Sequence, residues 1–306
     1  MNLFVQGMRR SGTTILYDAL LDDPELACFY EPLREEKVSV GGGSGARDVD
    51  AFAETSALRE RFRRERYPGL AVEQFNWGGP REAALELEPE LPEHCVELLR
   101  FLLELGRERG MPDTLIKETR LYCKVPVLHD LDPAGAMVHV VRDPRAVAAS
   151  IVLGRNRRRQ RKLRTADDFF DDRVDRKLWS SRDISARLLE RSGFPAVGDP
   201  SNVERVLTVW RITFEAARIE GMRLFGDRYL LLRNEDLRSD PAAAIGRLYA
   251  ILGRPVPEEV ASWAAANVRP PQDVYVGDDP RWRASIERLG MLDAVEEAGY
   301  AELLPS

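Results

Sequence analysis

Leu3-Phe4-Val5-Gln6-Gly7-Met8-Arg9-Arg10-Ser11-Gly12-Thr13-Thr14-Ile15-Leu16 is the stretch on which the reading of this chain turns. Leu3 to Val5 has the character of a short buried strand, Gly7 and Gly12 bracket a polar loop, and Ile15 to Leu21 opens an apolar helical stretch. A strand, a glycine-bracketed loop and a helix together aim backbone N–H groups and the positive end of a helix dipole at an anion. The spacing is that of the phosphate-binding G-x-x-x-x-G-K-[ST] loop, except that Thr13 stands where that motif has lysine. An ATPase uses the lysine to reach β- and γ-phosphates, so ordinary triphosphate hydrolysis is not expected. The cation here is Arg10, one step ahead of Ser11-Gly12. It points to a different phosphate ester and a different group in transit.

A second segment with phosphate chemistry is Val140-Val141-Arg142-Asp143-Pro144-Arg145-Ala146-Val147-Ala148-Ala149-Ser150. An apolar strand ends at Arg142, where ligands bind in open α/β sheets. Asp143-Pro144 turns the chain into a helix, and Ser150 follows Arg142 by about two helical turns. Arginine and hydroxyl together can grip a phosphomonoester through charge-assisted hydrogen bonds. The plain alternative is that Asp143 only caps the helix and Arg142 makes a structural ion pair.

With 306 residues, 44% of them hydrophobic, the chain can bury a sizeable core. Its net charge of −6 argues against general nucleic-acid affinity. Cys28, Cys95 and Cys123 show no metal or redox spacing and read as reduced thiols. Neither a leader pattern nor an apolar run of membrane-spanning length is seen, so a cytoplasmic protein with no membrane anchor is expected.

Apolar runs alternating with helical patterns predict an α/β fold with a mostly parallel sheet. The expected strands are Asn2–Gln6, Cys28–Tyr30, Thr114–Ile116, Met137–Val141 and Tyr229–Leu232. The expected helices are Thr14–Leu21, Ala51–Arg66, Pro92–Arg109, Arg145–Leu153, Val203–Phe225, Pro241–Leu252 and Pro257–Ala266. The organisation read from this is one domain over 1–306, with insertions on the acceptor side near 38–92 and 155–202.

Together the two phosphate segments resemble the sulfotransferase superfamily, whose donor is 3′-phosphoadenosine 5′-phosphosulfate. The resemblance implies a P-loop NTPase-like three-layer fold. It implies that Arg10-Ser11-Gly12-Thr13-Thr14 holds the 5′-phosphosulfate and that Arg142 and Ser150 hold the 3′-phosphate. Further segments are similar to the carbohydrate 6-O-sulfotransferase group. Phe29-Tyr30-Glu31-Pro32-Leu33 matches its F-x-E-P-L, and Lys117-Glu118-Thr119-Arg120-Leu121 its K-x-x-R-L. Arg228 to Leu237 resembles its R-Y-L-x-x-R-Y-E-D-L, followed by Asp240-Pro241 and a helix ending Leu252-Gly253. Trp282-Arg283 and Gly299-Tyr300 extend the likeness nearly to the end. Asn234 departs from the pattern, standing where the group has tyrosine. The segments 38–92 and 155–202 have no counterpart.

The implied reaction moves a sulfuryl group from a phosphate to a hydroxyl of a small-molecule or carbohydrate acceptor, a sugar or a glycosylated natural product. The product is 3′-phosphoadenosine 5′-phosphate, and no metal is required. Glu31 matches the base of glutamate-using members, and an enclosed carboxylate is expected to have a raised pKa. Its plain alternative is an ion pair with Arg34. Lys117 is the expected cation for charge developing on the sulfuryl group, with Lys124 as understudy; either would otherwise be a solvated or snorkelling lysine. Arg10 is expected to stabilise the leaving group. His94, His129 and His139 read as structural. The run Arg155–Arg164 is a flap, an acceptor dock or a solvated face, and Phe75 to Gly79 an aromatic platform or a core contact. Two other classes stay open: a P-loop small-molecule kinase, and a non-catalytic nucleotide-binding module.

Overall fold

The computed structural model describes residues 1–34, 46–72, 88–154, 160, 162–174, 200–270 and 274–303. Five strands form the sheet: β1 (Leu3–Gln6), β2 (Leu26–Tyr30), β3 (Asp113–Glu118), β4 (Ala136–Val141) and β5 (Tyr229–Arg233). Their order is β2-β3-β1-β4-β5, and every pairing is parallel. The expected strands are all present. β2 starts earlier than expected, at Leu26, and β3 runs on to Glu118. Both extensions contain polar or small residues that the apolar pattern passes over.

Twelve α-helices are described: α1 (Thr13–Leu20), α2 (Ala46–Arg66), α3 (Glu93–Glu108), α4 (Val125–Leu131), α5 (Pro144–Leu153), α6 (Ala166–Phe170), α7 (Asn202–Phe225), α8 (Asn234–Ser239), α9 (Pro241–Leu252), α10 (Glu258–Asn267), α11 (Pro280–Arg288) and α12 (Leu292–Glu297). The short helices α4, α6 and α8, and the terminal pair α11 and α12, were not expected from periodicity. Two turns of helix are too few to show a repeat.

Alternation along the buried strands splits the core into two layers. Leu3, Val5, Leu115, Val138 and Val140 face α1, α9 and α10. Phe4, Phe29, Ile116, Met137 and Val141 face α3, α4, α5 and α7. The outer edge of β2 is covered by α2, whose Phe52 joins one layer and whose Phe62 joins the other. Thr55 on that helix accepts the Tyr30 N–H at 3.1 Å and donates to the Ala51 carbonyl at 2.8 Å. An edge donor is thereby satisfied without a further strand.

One device starts three helices. Asp143-Pro144, Asp240-Pro241 and Asp279-Pro280 each put proline in the first turn, and the aspartate accepts a backbone N–H from Arg145, Ala243 and Arg281 respectively. Proline loses nothing there, because that N–H has no helical partner. Gly253 ends α9 in the left-handed conformation at φ 69°.

At the edge where the strands begin, a charged clasp closes the structure. Arg254 donates to both oxygens of buried Asp23, at 3.1 and 2.6 Å, and to Asp113 at 3.1 Å. Tyr249 donates its hydroxyl to Asp23 at 2.5 Å. Burial alone would raise the Asp23 pKa, but the bonds from Arg254 and Tyr249 hold it below the ordinary value. Removing one partner of such a pair strands a buried charge. Arg254→Ala is therefore expected to cost about 3 kcal/mol or more of stability, read from denaturant unfolding midpoints; a change below about 0.5 kcal/mol would show the clasp to be incidental.

Candidate active site

All five strands are parallel, so all five end at one edge. That edge receives, in spatial order, Glu31 after β2, Lys117 and Glu118 at the end of β3, the loop Gly7–Thr14 after β1, Arg142 after β4, and Asn234 after β5. The helix following β1 packs on one face of the sheet and the helix following β4 on the other. The crevice of an open α/β sheet forms at such a divergence.

The loop is built as its glycines predict. Gly12 caps α1 at φ 94°, in the left-handed region. A Cβ at Gly7 would collide with the Val140 carbonyl oxygen, and one at Gly12 with Asn234 Nδ2. Arg10 and Glu31 also have positive φ, 78° and 44°, although both carry side chains. Such backbone costs on the order of 1–3 kcal/mol and collects where function demands it.

The crevice is bridged. Arg10 Nε donates to Ser150 Oγ at 2.8 Å, and Arg142 Nη1 donates to the Arg10 carbonyl at 3.4 Å. Trp210, stacked on Phe214, donates its indole N–H to the Arg142 carbonyl at 3.0 Å. The structure thus brings Arg10, Ser11, Gly12, Thr13 and Thr14 beside Arg142 and Ser150. Asp143 does cap α5, but the ion pair at this turn belongs to Arg145, which binds both Asp143 oxygens. Among the described residues Arg142 has no acidic partner.

On the other side of the loop lies a chain of polar contacts. Thr14 Oγ1 and the Tyr30 hydroxyl are 3.0 Å apart. The Lys117 ammonium stands 4.0 Å from the centre of the Tyr30 ring and makes a buried ion pair with Glu31 Oε1. Arg34 binds the second oxygen, Oε2, at 2.8 Å. Lys117 is not a snorkelling lysine: it is 1% exposed. Lys124 is equally buried and donates to the Glu88 carbonyl.

The expectation of a raised Glu31 pKa is corrected. Burial does push it up, but Lys117 and Arg34 overcome that, and the carboxyl lies below its ordinary value. Burial likewise lowers the Lys117 pKa, and Glu31 more than restores it, so the ammonium is held protonated. The raised carboxyl belongs to Glu118, pushed up to about 7 by burial and by the nearby Glu31 charge. Its Oε1 accepts the Leu33 N–H at 2.8 Å and so ties β3 to the Glu31-Pro32-Leu33 turn. Glu118 was missed because it occupies an unspecified position of K-x-x-R-L. The signal available was a charged residue ending an otherwise buried strand.

The histidines stand apart from this site. His139 is in the core, bonded to the Tyr229 hydroxyl at 2.8 Å, and burial pushes its pKa down to about 3. His129 lies edge-on to Phe225, and His94 edge-on to Tyr67. Among the described residues no three His, Cys, Asp or Glu side chains gather to hold a metal ion. No described helix is long and apolar enough to cross a membrane. Most of the basic run from Arg155, and all of Phe75 to Gly79, lie outside the described residues.

Fold and site together define a P-loop-type α/β protein whose glycine loop and Arg142–Ser150 segment meet in one crevice. The sequence profile of the Sulfotransferase family matches residues 2–192, and the chain belongs to that family. Among solved structures it is similar to sulfotransferase STF9 from Mycobacterium avium, with a TM-score of 0.53 and 13% identity over 97% of this chain and 76% of that one. The sulfotransferase domain of the Synechococcus PCC 7002 olefin synthase gives a TM-score of 0.42 at 17% identity, covering 85% of this chain and 76% of that one. The sulfotransferase domain from the curacin biosynthetic pathway gives 0.47 at 14%, covering 99% and 98%. No curated protein matches the chain.

Glu118 is protonated more readily in the fold than in the unfolded chain. The stability it contributes is complete below its ordinary value of 4.5 and is lost as pH rises through about 7. Glu118→Gln keeps an acceptor for Leu33 and removes the titration. Its melting temperature is expected to exceed the wild type's at about pH 8 and to change less between about pH 6 and about pH 8. Parallel melting curves for the two proteins would remove this assignment.

Proposed function

We propose that this protein transfers the sulfuryl group of 3′-phosphoadenosine 5′-phosphosulfate to a hydroxyl of a sugar or a glycosylated natural product, releasing 3′-phosphoadenosine 5′-phosphate. The observation that carries the reading is the Arg10–Ser150 hydrogen bond of 2.8 Å, which joins two phosphate-binding segments far apart in the chain. A loop that cradles one phosphate needs no second cationic segment at its shoulder. A donor phosphorylated at both 5′ and 3′ positions does. The carbohydrate acceptor is supported by the Glu31-Pro32-Leu33 and Lys117-to-Leu121 segments, and by nothing in 38–92 or 155–202.

In this reading the amides of Ser11 to Thr14 and the Arg10 guanidinium hold the 5′-phosphosulfate. Arg142 and Ser150 hold the 3′-phosphate. Glu31, ionised through the neutral range, takes the proton of the acceptor hydroxyl. Its lowered basicity places that proton transfer late, as the new bond to sulfur forms. Lys117, held protonated, offers N–H to charge developing around the sulfuryl group, and Arg10 to the leaving phosphate. Ion-pairing in the resting site keeps Glu31 and Lys117 in the charge states these tasks need.

Calorimetric titration without metal is expected to show tight binding of 3′-phosphoadenosine 5′-phosphate and little response to ADP or ATP. Preference for ATP with Mg²⁺ would instead identify a kinase. Arg142→Ala and Ser150→Ala are expected to weaken the 3′-phosphorylated nucleotide far more than one lacking that phosphate. Glu31→Gln is expected to leave donor affinity nearly unchanged and to lower turnover by about 10²-fold or more. Unchanged turnover would discard Glu31 as the base, and donor binding without turnover on any acceptor would favour a non-catalytic module.

A further inference from the structure

Helix α8 begins where β5 ends and is wedged between the two phosphate segments. Asn234, its first residue, is 1% exposed and packs its Nδ2 against Gly12 of the loop. Glu235, the next, accepts the Asp143 backbone N–H at 3.1 Å and the Tyr300 hydroxyl at 2.6 Å. The helix is therefore fixed to the loop on one side and to the Arg142-Asp143 turn on the other. Arg238 lies four residues after Asn234, on the same helix face.

The orientation of the Asn234 amide follows from its neighbour. Arg238 Nε donates to Asn234 Oδ1 at 3.0 Å, and a guanidinium can only donate, so the oxygen faces Arg238 and Nδ2 faces the loop. Nδ2 is buried and has no hydrogen-bond partner among the described residues. Arg238 Nη1 donates to the Arg269 carbonyl at 3.1 Å. Nε and Nη1 are thus engaged, and Nη2 has no partner among the described residues. Arg238 is half-buried; burial first, and repulsion from the Arg142 guanidinium second, pull its pKa below the ordinary value, with Glu235 opposing. Glu235 is itself engaged by Asp143 and Tyr300. Glu235 on the Asp143 N–H and Asn234 against Gly12 set Arg238 beside the turn that carries Arg142, and neither guanidinium has a carboxylate within ion-pairing distance among the described residues. An anion of more than one charge would offset the repulsion between them through charge-assisted hydrogen bonds to both.

We propose that Arg238 is a third cation of the donor site, sharing with Arg142 the phosphomonoester at the ribose 3′ position, and that Asn234 is the residue that positions it. The proposal rests on the reading of Arg142 and Ser150 given above. It extends the site from two strand ends to three and assigns a role to a position where the chain departs from the carbohydrate group's tyrosine.

The test compares binding of 3′-phosphoadenosine 5′-phosphate and of adenosine 5′-phosphate, by calorimetry, in the wild type and in Arg142→Ala, Arg238→Ala, Arg238→Lys and Asn234→Ala. Arg238→Ala is expected to weaken the first nucleotide about tenfold or more and the second less than about twofold. Arg238→Lys is expected to lie between, since it keeps the charge but not the planar fork. Asn234→Ala should show the same selective loss in smaller measure, which a merely structural role would not produce. Should Arg238→Ala fail to fold, Arg238→Lys carries the comparison through its selectivity. Equal losses for both nucleotides, or none, in the Arg238 variants would overturn the proposal while Arg142→Ala remains selective. A wild type that does not prefer the 3′-phosphorylated nucleotide would overturn the underlying reading as well.

Discussion

Parallel pairing of all five strands is the constraint from which the site follows. In a parallel sheet every strand delivers its last residue to the same edge. Residues from Gln6 to Asn234 meet there although more than two thirds of the chain separates them. The order β2-β3-β1-β4-β5 then decides what lies beside what. Strands β2 and β3 put Glu31 and Lys117 on one flank of the glycine loop, and β4 and β5 put Arg142 and Asn234 on the other. An ion-paired flank and a flank of arginines are thereby separated by the glycine loop.

The two flanks solve the problem of buried charge differently. Beside β2 and β3 the Glu31 charge is answered by Lys117 and Arg34, with Tyr30 beneath the ammonium. Charges so enclosed persist only when paired. Beside β4 and β5, Arg142 and Arg238 are left without an ion-paired acid among the described residues. The first arrangement fixes buried groups in defined charge states, and the second leaves a local positive field.

The sequence made the strands and the loop legible because both depend on local pattern. Buried parallel strands are short apolar runs, and a turn needing left-handed backbone at Gly12 advertises itself by glycine. That the Arg10 loop and the Arg142–Ser150 segment come together was legible only through the family resemblance, since nothing local links residues so distant; the Arg10–Ser150 bond itself was not expected. Glu118 and Arg238 were not legible. Their character comes from burial and from neighbours contributed by other strands. The Glu31 pKa was misjudged because enclosure was weighed against the Arg34 ion pair as alternatives, whereas the fold combines them and adds Lys117. Helix α8 escaped notice because six residues do not display a period.

The packing of Asn234 onto Gly12 has a consequence for how such a sequence can change. The amide occupies the space that any side chain at position 12 would need. A side chain at position 12 would meet that amide and would also have to adopt the left-handed backbone at φ 94°, so removing the amide alone would not admit it. The loop's glycine is thus guarded by its own backbone and also by a residue more than two hundred positions away.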